Sequence, residues 1–240
     1  STMRPQSAPR RTPALTADHV ARVTREVPEQ EASHENEPLT DADREALAHQ
    51  LLAEIDGQPF WIFAYGSLIW KPAFEYVEAQ QCVAHGWHRS FCLNLLGWRA
   101  SPEQPGLMLA LERGGACAGV AYRMPEDDDH GRMLRLLERE IGYHRHIPWI
   151  RWLTVRANGE KFRALTFYCA PPEDDAVVQL PLDQQALRLA RACGPVGSCA
   201  EYLHNTVTHL EELGIRDSYL WRLQAMVAAE IDAMPCAEAG

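Results

Sequence analysis

Between residues 60 and 124 the chain alternates short apolar runs with glycine and proline, a pattern typical of β-strands separated by turns. The runs predict strands over 60–65, 77–85, 90–96, 107–112 and 117–124. Two later runs predict strands over 149–156 and 161–169. The first run is apolar at every position, which indicates a strand that is buried on both faces.

Helical periodicity dominates outside these runs. Thr40 is a suitable N-cap, and apolar residues follow it at helical spacing until Gly57 ends the helix. Further helices are predicted over 130–141, 183–193, 198–213 and 217–234. Strands early in the chain and helices later predict an α+β fold.

The first 38 residues differ in composition from the rest. Proline, arginine and threonine are frequent at first, and an acidic stretch follows over 26–37. Such a composition offers little core, so residues 1–38 are predicted to be a disordered tail with at most transient helix. The alternative is that the tail contacts a partner or folds back on the protein. Residues 1–2, which precede Met3, are interpreted as left by an expression vector, and residues 39–235 are predicted to form one domain.

Charge and cysteine content narrow the class of protein. A net charge of −10 argues against nucleic acid and anionic membrane surfaces as partners. No apolar stretch approaches the ~20 residues that a membrane helix needs. Seven cysteines form no disulfide-framework spacing, and no signal peptide pattern precedes them. We therefore expect reduced thiols and a cytoplasmic location, and the sequence leaves the oligomeric state open.

The end of the first apolar run is a candidate binding element. After Tyr65 the chain reaches Gly66 and Ser67, where it can turn sharply and direct backbone N–H groups toward an anionic ligand. An ordinary tight turn after a core strand is the alternative. A nucleophilic Ser67 is disfavoured, because serine nucleophiles usually lie in a Gly-x-Ser-x-Gly turn beside a base.

Glu140 is the candidate for acid/base chemistry. At about 100° per residue, its side chain lies within roughly 50° of the centre of the apolar face of the predicted helix over 130–141. The other charged residues of the 132–140 segment lie about 100° or more from that centre. A carboxyl group that points toward a core must be paired, protonated or used in function. A buried salt bridge to an arginine is the alternative.

Several short motifs follow one another along the chain, among them Tyr-Gly-Ser-Leu-Ile-Trp at 65–70 and Arg-Glu-Ile-Gly-Tyr at 139–143. The others are Arg-Ser-Phe at 89–91, Arg-Ala-Ser-Pro-Glu-Gln-Pro-Gly at 99–106, Gly-Val-Ala-Tyr-Arg at 119–123, Gly-Pro-Val-Gly at 194–197 and Glu-Tyr-Leu at 201–203. In this order they resemble motifs of the ChaC-like gamma-glutamylcyclotransferases, a family of glutathione-degrading enzymes. The motif at 65–70 is similar to the family signature, and the motif at 139–143 is similar to the segment with the catalytic glutamate. The resemblance covers roughly residues 59–225 and implies a small mixed β-barrel with peripheral helices.

The resemblance also implies a reaction and a site. The expected reaction cleaves glutathione into 5-oxoproline and Cys-Gly, with Glu140 as general acid/base and without a cofactor. The expected substrate-binding residues are Tyr65, Gly66, Ser67, Leu68, Tyr143 and Arg99. Because glutathione is anionic, the site needs local positive charge, for which the candidates are Arg89, Arg99, Arg123, Arg145 and Arg151. A metal is not expected, since the histidine and cysteine clusters at 85/88, 144/146 and 193/199 lack metal-site spacing.

Some positions depart from the family pattern and leave the substrate open. Ala100 stands where glycine is usual, Ile141-Gly142 replaces a common Gly-Gly, and Ser198-Cys199 replaces a typical Arg-Asn. The same chemistry on other gamma-glutamyl amides or dipeptides is one alternative. A non-catalytic binding or regulatory protein with the same fold is the other.

Overall fold

The computed structural model of the protein describes residues 9–30 and 36–235. These residues divide into two compact units. The first unit consists of residues 9–30, 91–109 and 178–235, and the second of residues 36–90 and 110–177.

Helices and strands follow one another in the order expected for an α+β protein. The helices are α1 (Ala17–Val23), α2 (Asp41–Ile55), α3 (Ser67–Trp70), α4 (Asp129–Glu140), α5 (Leu182–Arg191), α6 (Cys199–Glu212) and α7 (Ser218–Asp232), with a 3₁₀ helix at His144–Trp149. The strands are β1 (Trp61–Ala64), β2 (Glu78–Leu95), β3 (Gly106–Arg123), β4 (Arg151–Ala157), β5 (Glu160–Thr166), β6 (Cys193–Gly194) and β7 (Gly197–Ser198).

A closed β-barrel with the strand order β1-β3-β2-β4-β5 is the centre of the second unit. Residues 91–95 of β2 and 106–109 of β3 are counted with the first unit. β1 runs antiparallel to β3 and parallel to β5, so the barrel is mixed. All four residues of β1 are buried, as its continuous apolar sequence predicts. The α+β fold with a small mixed barrel and peripheral helices is therefore confirmed.

The long strands β2 and β3 each join two strands that the sequence predicted as separate. The predicted breaks contain Gly86, Gly114 and Gly115, all with positive φ. Glycine adopts this conformation without steric cost, and inside a strand it produces a bend or a bulge. These glycines therefore lie inside continuous strands and do not end them.

Around the barrel, the second unit places α2 against α4. Thr40 caps α2 through a capping box with Asp43, as the sequence predicted for this N-terminus. Asp128 caps α4 by accepting a hydrogen bond from the Gly131 N–H. The observed bounds of α4 differ by one residue at each end from the predicted 130–141.

The first unit is mainly helical, with α5, α6 and α7 packed together and α1 packed against α6 and α7. Leu15, just before α1, is 1% exposed, and its N–H donates to Oε1 of Gln224 at 2.9 Å. The Nε and backbone N–H of Arg11 both donate to the carboxylate of Glu211 at 3.0 Å. Residues 9–30 are thus held by apolar burial and by ion pairing.

This packing corrects the predicted disordered tail over residues 9–30. The segment has too few apolar residues for a core of its own, but Leu15 and Val23 are enough to dock it on helices that already exist. Composition alone does not reveal such docking. The parts of the prediction that concern residues 1–8 and 31–35 lie outside the described residues, and the single domain over 39–235 stays a prediction.

No helix in the part of the chain that the structure describes is both long and apolar enough to cross a membrane.

Candidate active site

The turn after β1 is held in place by buried hydrogen bonds within the second unit. The hydroxyl of Tyr65 donates to the carbonyl of Phe167 at 2.8 Å. Nε of Arg89 donates to the carbonyl of Tyr65 at 2.7 Å, and its Nη2 donates to Ala118 O at 2.6 Å. The buried guanidinium therefore stabilises the turn, because two of its nitrogens form hydrogen bonds with main-chain carbonyls.

Beyond Tyr65, the predicted loop forms the start of a single helical turn. Gly66 is the N-cap of α3, Ser67 is its first residue, and Leu68 is buried. The N–H of Ile69 donates to Gly66 O at 2.9 Å, which closes the turn. The four predicted loop residues are therefore adjacent to one helix N-terminus, where backbone N–H groups carry partial positive charge.

The close approach of β3 to β1 explains a glycine beside this turn. A Cβ atom on Gly119 would lie 2.3 Å from the carbonyl oxygen of Ala64 and 2.8 Å from the ring of Phe63. No side chain fits in that space, so glycine allows the two strands to pair directly below the turn.

Glu140 is the last residue of α4, and its side chain is 15% exposed. Burial raises the pKa of its carboxyl group, while the positive charge of Arg139 lowers it in part. Nε of Arg139 lies 3.7 Å from Oε1, and its Nη1 and Nη2 donate to the carbonyls of Pro72 and Lys71. The side chain is therefore mostly buried, as the helical geometry predicted, and Arg139 provides the arginine ion pair that was the alternative. The role of Glu140 as acid/base stays a prediction.

Tyr168 is a candidate site residue that the sequence did not indicate. Its hydroxyl donates to the backbone carbonyl of Glu140 at 2.7 Å. Burial raises the pKa of the phenol, and the charge of Glu140 raises it further. The backbone φ of Tyr168 is +60°, which is unusual for a bulky residue and is found most often where surrounding structure fixes a functional conformation.

The two residues that directly follow β5 connect the turn after β1 with the helix that carries the carboxylate. Tyr65 bonds to the carbonyl of Phe167, and the next residue, Tyr168, bonds to the carbonyl of Glu140. Two predicted site residues that are 75 positions apart in sequence thus attach to adjacent residues of one strand end. Their sequence motifs alone gave no indication of this connection.

Tyr143 directly precedes the 3₁₀ helix and forms a β-bridge with Pro38. Its ring lies 6.2 Å from the ring of His146, centroid to centroid. Tyr143 therefore belongs to the same stretch of chain as Glu140, in an aromatic cluster that also contains Trp149 and Tyr168.

Arg99 lies in the first unit and is buried there. Its Nη1 donates to the carbonyl of Ser198 and to Oε1 of Glu201, both at 2.9 Å. The guanidinium also lies over the ring of Tyr202, 5.8 Å from the centroid. The loop at 99–106 and the Glu-Tyr-Leu motif at 201–203, both matched from the sequence, are thus in direct contact.

The remaining arginine candidates have protein partners. Arg123 pairs with Glu78 at 3.0 Å, and Arg145 pairs with Asp175 at 3.0 Å. Arg151 lies over the ring of Trp87, 5.3 Å from the centroid. These contacts give all three side chains a protein partner, although Nε of Arg145 is buried without a hydrogen bond.

Potential metal ligands come together at a place that the sequence did not indicate. Among the described residues, Glu45, His49 and His130 have ligand atoms that all lie within 4.8 Å of one another. Nε2 of His130 is already 2.7 Å from Oε2 of Glu45, and the three side chains are 44–75% exposed. An ordinary surface hydrogen bond accounts for this group. The histidine and cysteine clusters considered from the sequence are not part of it.

The fold is a small closed β-barrel with helices. The candidate site combines the mostly buried carboxyl group of Glu140, at the end of α4, with the Gly66-Ser67 turn after β1. The model of the ChaC-like protein family matches residues 60–230, which is well over half of the chain. The chain therefore belongs to the ChaC-like family, and the resemblance is confirmed.

Individual relatives agree with this assignment. The glutathione-specific gamma-glutamylcyclotransferase of Escherichia coli (strain K12) is 37% identical over 176 residues, which cover 73% of this chain and 75% of that protein. Gamma-glutamylcyclotransferase 2-3 of Arabidopsis thaliana is 30% identical over 174 residues, which cover 70% of this chain and 87% of the relative. The crystal structure of the yeast gamma-glutamyl cyclotransferase specific to glutathione superimposes with a TM-score of 0.62 at 20% identity. It covers 71% of this chain and 96% of the yeast chain, and it supports the fold.

Proposed function

We propose that this protein is a glutathione-specific gamma-glutamylcyclotransferase that releases 5-oxoproline and Cys-Gly. Family membership and the 37% identity to the Escherichia coli enzyme support the reaction and the substrate. The observation that carries the proposal is the buried carboxyl group of Glu140, which has a raised pKa and lies at the end of α4.

The reaction requires little from the protein because the substrate contains its own nucleophile. In a gamma-glutamyl amide, the α-amine attacks the γ-carbonyl of the same residue and closes a five-membered ring. The amide C–N bond breaks, and the released amine takes up a proton. Because the attack is intramolecular, much of the entropic barrier is absent once the substrate is held in a curled conformation.

Glu140 is proposed to move the proton. Its carboxylate accepts a proton from the attacking amine and returns it to the departing nitrogen, so the residue is regenerated in each cycle. Burial makes this carboxylate more basic than an exposed one, which favours proton abstraction from an ammonium group. Tyr168 is proposed to fix the position of Glu140 through the backbone carbonyl.

Substrate binding is proposed to involve the turn at 65–68 and Tyr143 of the second unit. Arg99, in the first unit, is a substrate-binding candidate that the family resemblance supports. The backbone N–H groups of the turn are suited to the polar oxygens of the gamma-glutamyl unit. An anionic substrate requires local positive charge in a protein of net charge −10, and the positive charge of Arg99 is already paired with Glu201 at 2.9 Å. Ser67 is proposed to steady the loop or the substrate and not to act as a nucleophile.

The cellular setting is proposed to be the cytoplasm. All six cysteines in the described residues are buried, and none of them forms a disulfide. Reduced thiols are typical of a compartment rich in glutathione. The substrate is a small molecule, and no nucleic-acid or membrane partner is expected from the charge.

The test is incubation of the purified protein with reduced glutathione, without added metal, while mass spectrometry follows both products. We expect 5-oxoproline and Cys-Gly in equal amounts. Glu140→Gln should lower turnover by about two to four orders of magnitude. Glu138→Gln, on an exposed face of the same helix, is the matched control and should leave turnover unchanged.

Each result has a defined meaning. Near-normal turnover in the Glu140→Gln variant removes Glu140 from the mechanism. Intact glutathione, with cleavage of another gamma-glutamyl amide or dipeptide, keeps the chemistry and changes the substrate. Failure to cleave any member of such a panel favours a non-catalytic binding protein.

A further inference from the structure

His146 is a partly buried residue of the 3₁₀ helix, and its imidazole ring lies among three aromatic side chains. Its centroid is 6.2 Å from that of Tyr143, 6.0 Å from that of Trp149 and 5.5 Å from that of Tyr168, each in an edge-on arrangement. Tyr168 also bonds to the carbonyl of Glu140. His146 is therefore one side chain away from the segment that carries the proposed acid/base.

The Nδ1 atom of His146 is buried and has no hydrogen-bond partner among the described residues. An unpaired buried polar atom costs about 1–3 kcal/mol, and native proteins contain few of them. The nearby carboxylate of Asp174 is already engaged, since it accepts hydrogen bonds from Trp149 Nε1 at 2.8 Å and from the Ala176 N–H at 2.9 Å. A bound ligand that forms a hydrogen bond with Nδ1 would remove this free-energy cost.

The surroundings favour an uncharged imidazole. Burial lowers the pKa of His146, the positive charge of Arg145 lowers it further, and Asp174 acts in the opposite direction. A neutral imidazole has one donor and one acceptor nitrogen, which suits an uncharged polar group such as an amide. A carboxylate would bring an unbalanced charge into aromatic surroundings.

We infer that Nδ1 of His146 forms a hydrogen bond with an amide group of the gamma-glutamyl substrate, which makes His146 a further substrate-binding residue. The inference rests on the proposed function and extends it, because neither the motifs nor the family resemblance pointed to this position. The sequence could not indicate this position, because the ring contact between His146 and Tyr168, which follows β5, forms only in the folded protein.

Three substitutions of His146 distinguish the contribution of its Nδ1 atom from that of its aromatic ring. His146→Phe keeps an aromatic ring and removes both nitrogens. His146→Asn keeps a polar atom bonded to Cγ, where Nδ1 is attached, whereas His146→Gln moves the polar atom one bond further out. His144→Phe is the matched control, because His144 lies in the same 3₁₀ helix but its Nε2 is 2.9 Å from Asp43.

The experiment measures kcat and KM for glutathione, together with the thermal midpoint of each variant. His146→Phe and His146→Gln should raise KM about tenfold, the effect of one lost hydrogen bond, with kcat within about threefold of the original protein. His146→Asn should restore KM to within about threefold, and His144→Phe should leave it unchanged. Because the Phe ring removes an unpaired buried atom, the midpoint of His146→Phe should be equal or higher.

The inference is overturned if His146→Phe leaves KM unchanged, or if KM rises only together with a fall in the thermal midpoint that His146→Asn shares. Should His146→Phe not fold, the comparison of the Asn and Gln variants decides in its place. If the original protein releases no 5-oxoproline, the proposed function itself fails. An active original protein with unaltered variants removes the role of His146 alone.

Discussion

Replacing Glu140 by glutamine should make the protein more stable at neutral pH, although it should lower turnover. Burial raises the pKa of this carboxyl group in the folded state above its unfolded value. The stability that such a group contributes is present below the unfolded pKa and is lost as pH rises through the folded pKa. At pH 7.5 the folded protein must either ionise this carboxyl group in buried surroundings or keep it protonated above its unfolded pKa, and both cost stability that a neutral glutamine of similar shape does not cost.

The size of the effect follows from the burial of the side chain. Each unit by which the folded pKa exceeds the unfolded one is worth about 1.4 kcal/mol. The side chain is only 15% exposed, so little of this penalty is screened by solvent, and Arg139 at 3.7 Å offsets a part of it. In a protein of this size, 1 kcal/mol changes the thermal midpoint by roughly 2–4 °C.

The assay is thermal unfolding, followed by circular dichroism between pH 4 and pH 8. It compares the original protein with the Glu140→Gln and Glu138→Gln variants. The increase in thermal midpoint caused by Glu140→Gln should be largest at pH 7.5–8. It should become smaller toward about pH 4, near the unfolded pKa of glutamate. Glu138→Gln should follow the original protein at every pH. A Glu140→Gln midpoint at pH 7.5 that is equal to or below that of the original protein refutes the reasoning, because Glu140 would then be stabilised by partners.

Three further substitutions test other parts of the structure. Tyr168→Phe removes the hydrogen bond to the Glu140 carbonyl, so we expect turnover about tenfold lower and about 1–2 kcal/mol less stability; unchanged kinetics with glutathione would show that the bond does not position the base. Gly119→Ala forces a Cβ against the carbonyl oxygen of Ala64 and should destabilise the protein by about 2 kcal/mol or more in denaturant unfolding; a neutral result would mean that the strands separate easily. Leu15→Ala should cost about 2–4 kcal/mol because the side chain is 1% exposed, whereas an unstructured segment would show no change.

Much of the fold and part of the site could be predicted locally. The helical face that contains Glu140 was readable because side chains at 100° intervals separate into buried and exposed sets without knowledge of the neighbours. The continuous apolar run of β1 likewise indicated burial on both faces. The predicted breaks in β2 and β3 were wrong, since a glycine with positive φ permits a bulge as readily as a turn, and composition does not distinguish the two.

The sequence by itself determined the class of fold, the family motifs and the helical face on which Glu140, the residue proposed for proton transfer, lies. Closure of the barrel decided which distant residues meet, namely Tyr168 with Glu140, and Arg89 with the carbonyl of Tyr65. Packing against α6 and α7 likewise decided that residues 9–30 are ordered. The physical reason is that periodicity and capping depend on neighbours a few positions away, whereas burial, unpaired polar atoms and pKa shifts depend on groups that only the closed structure brings together.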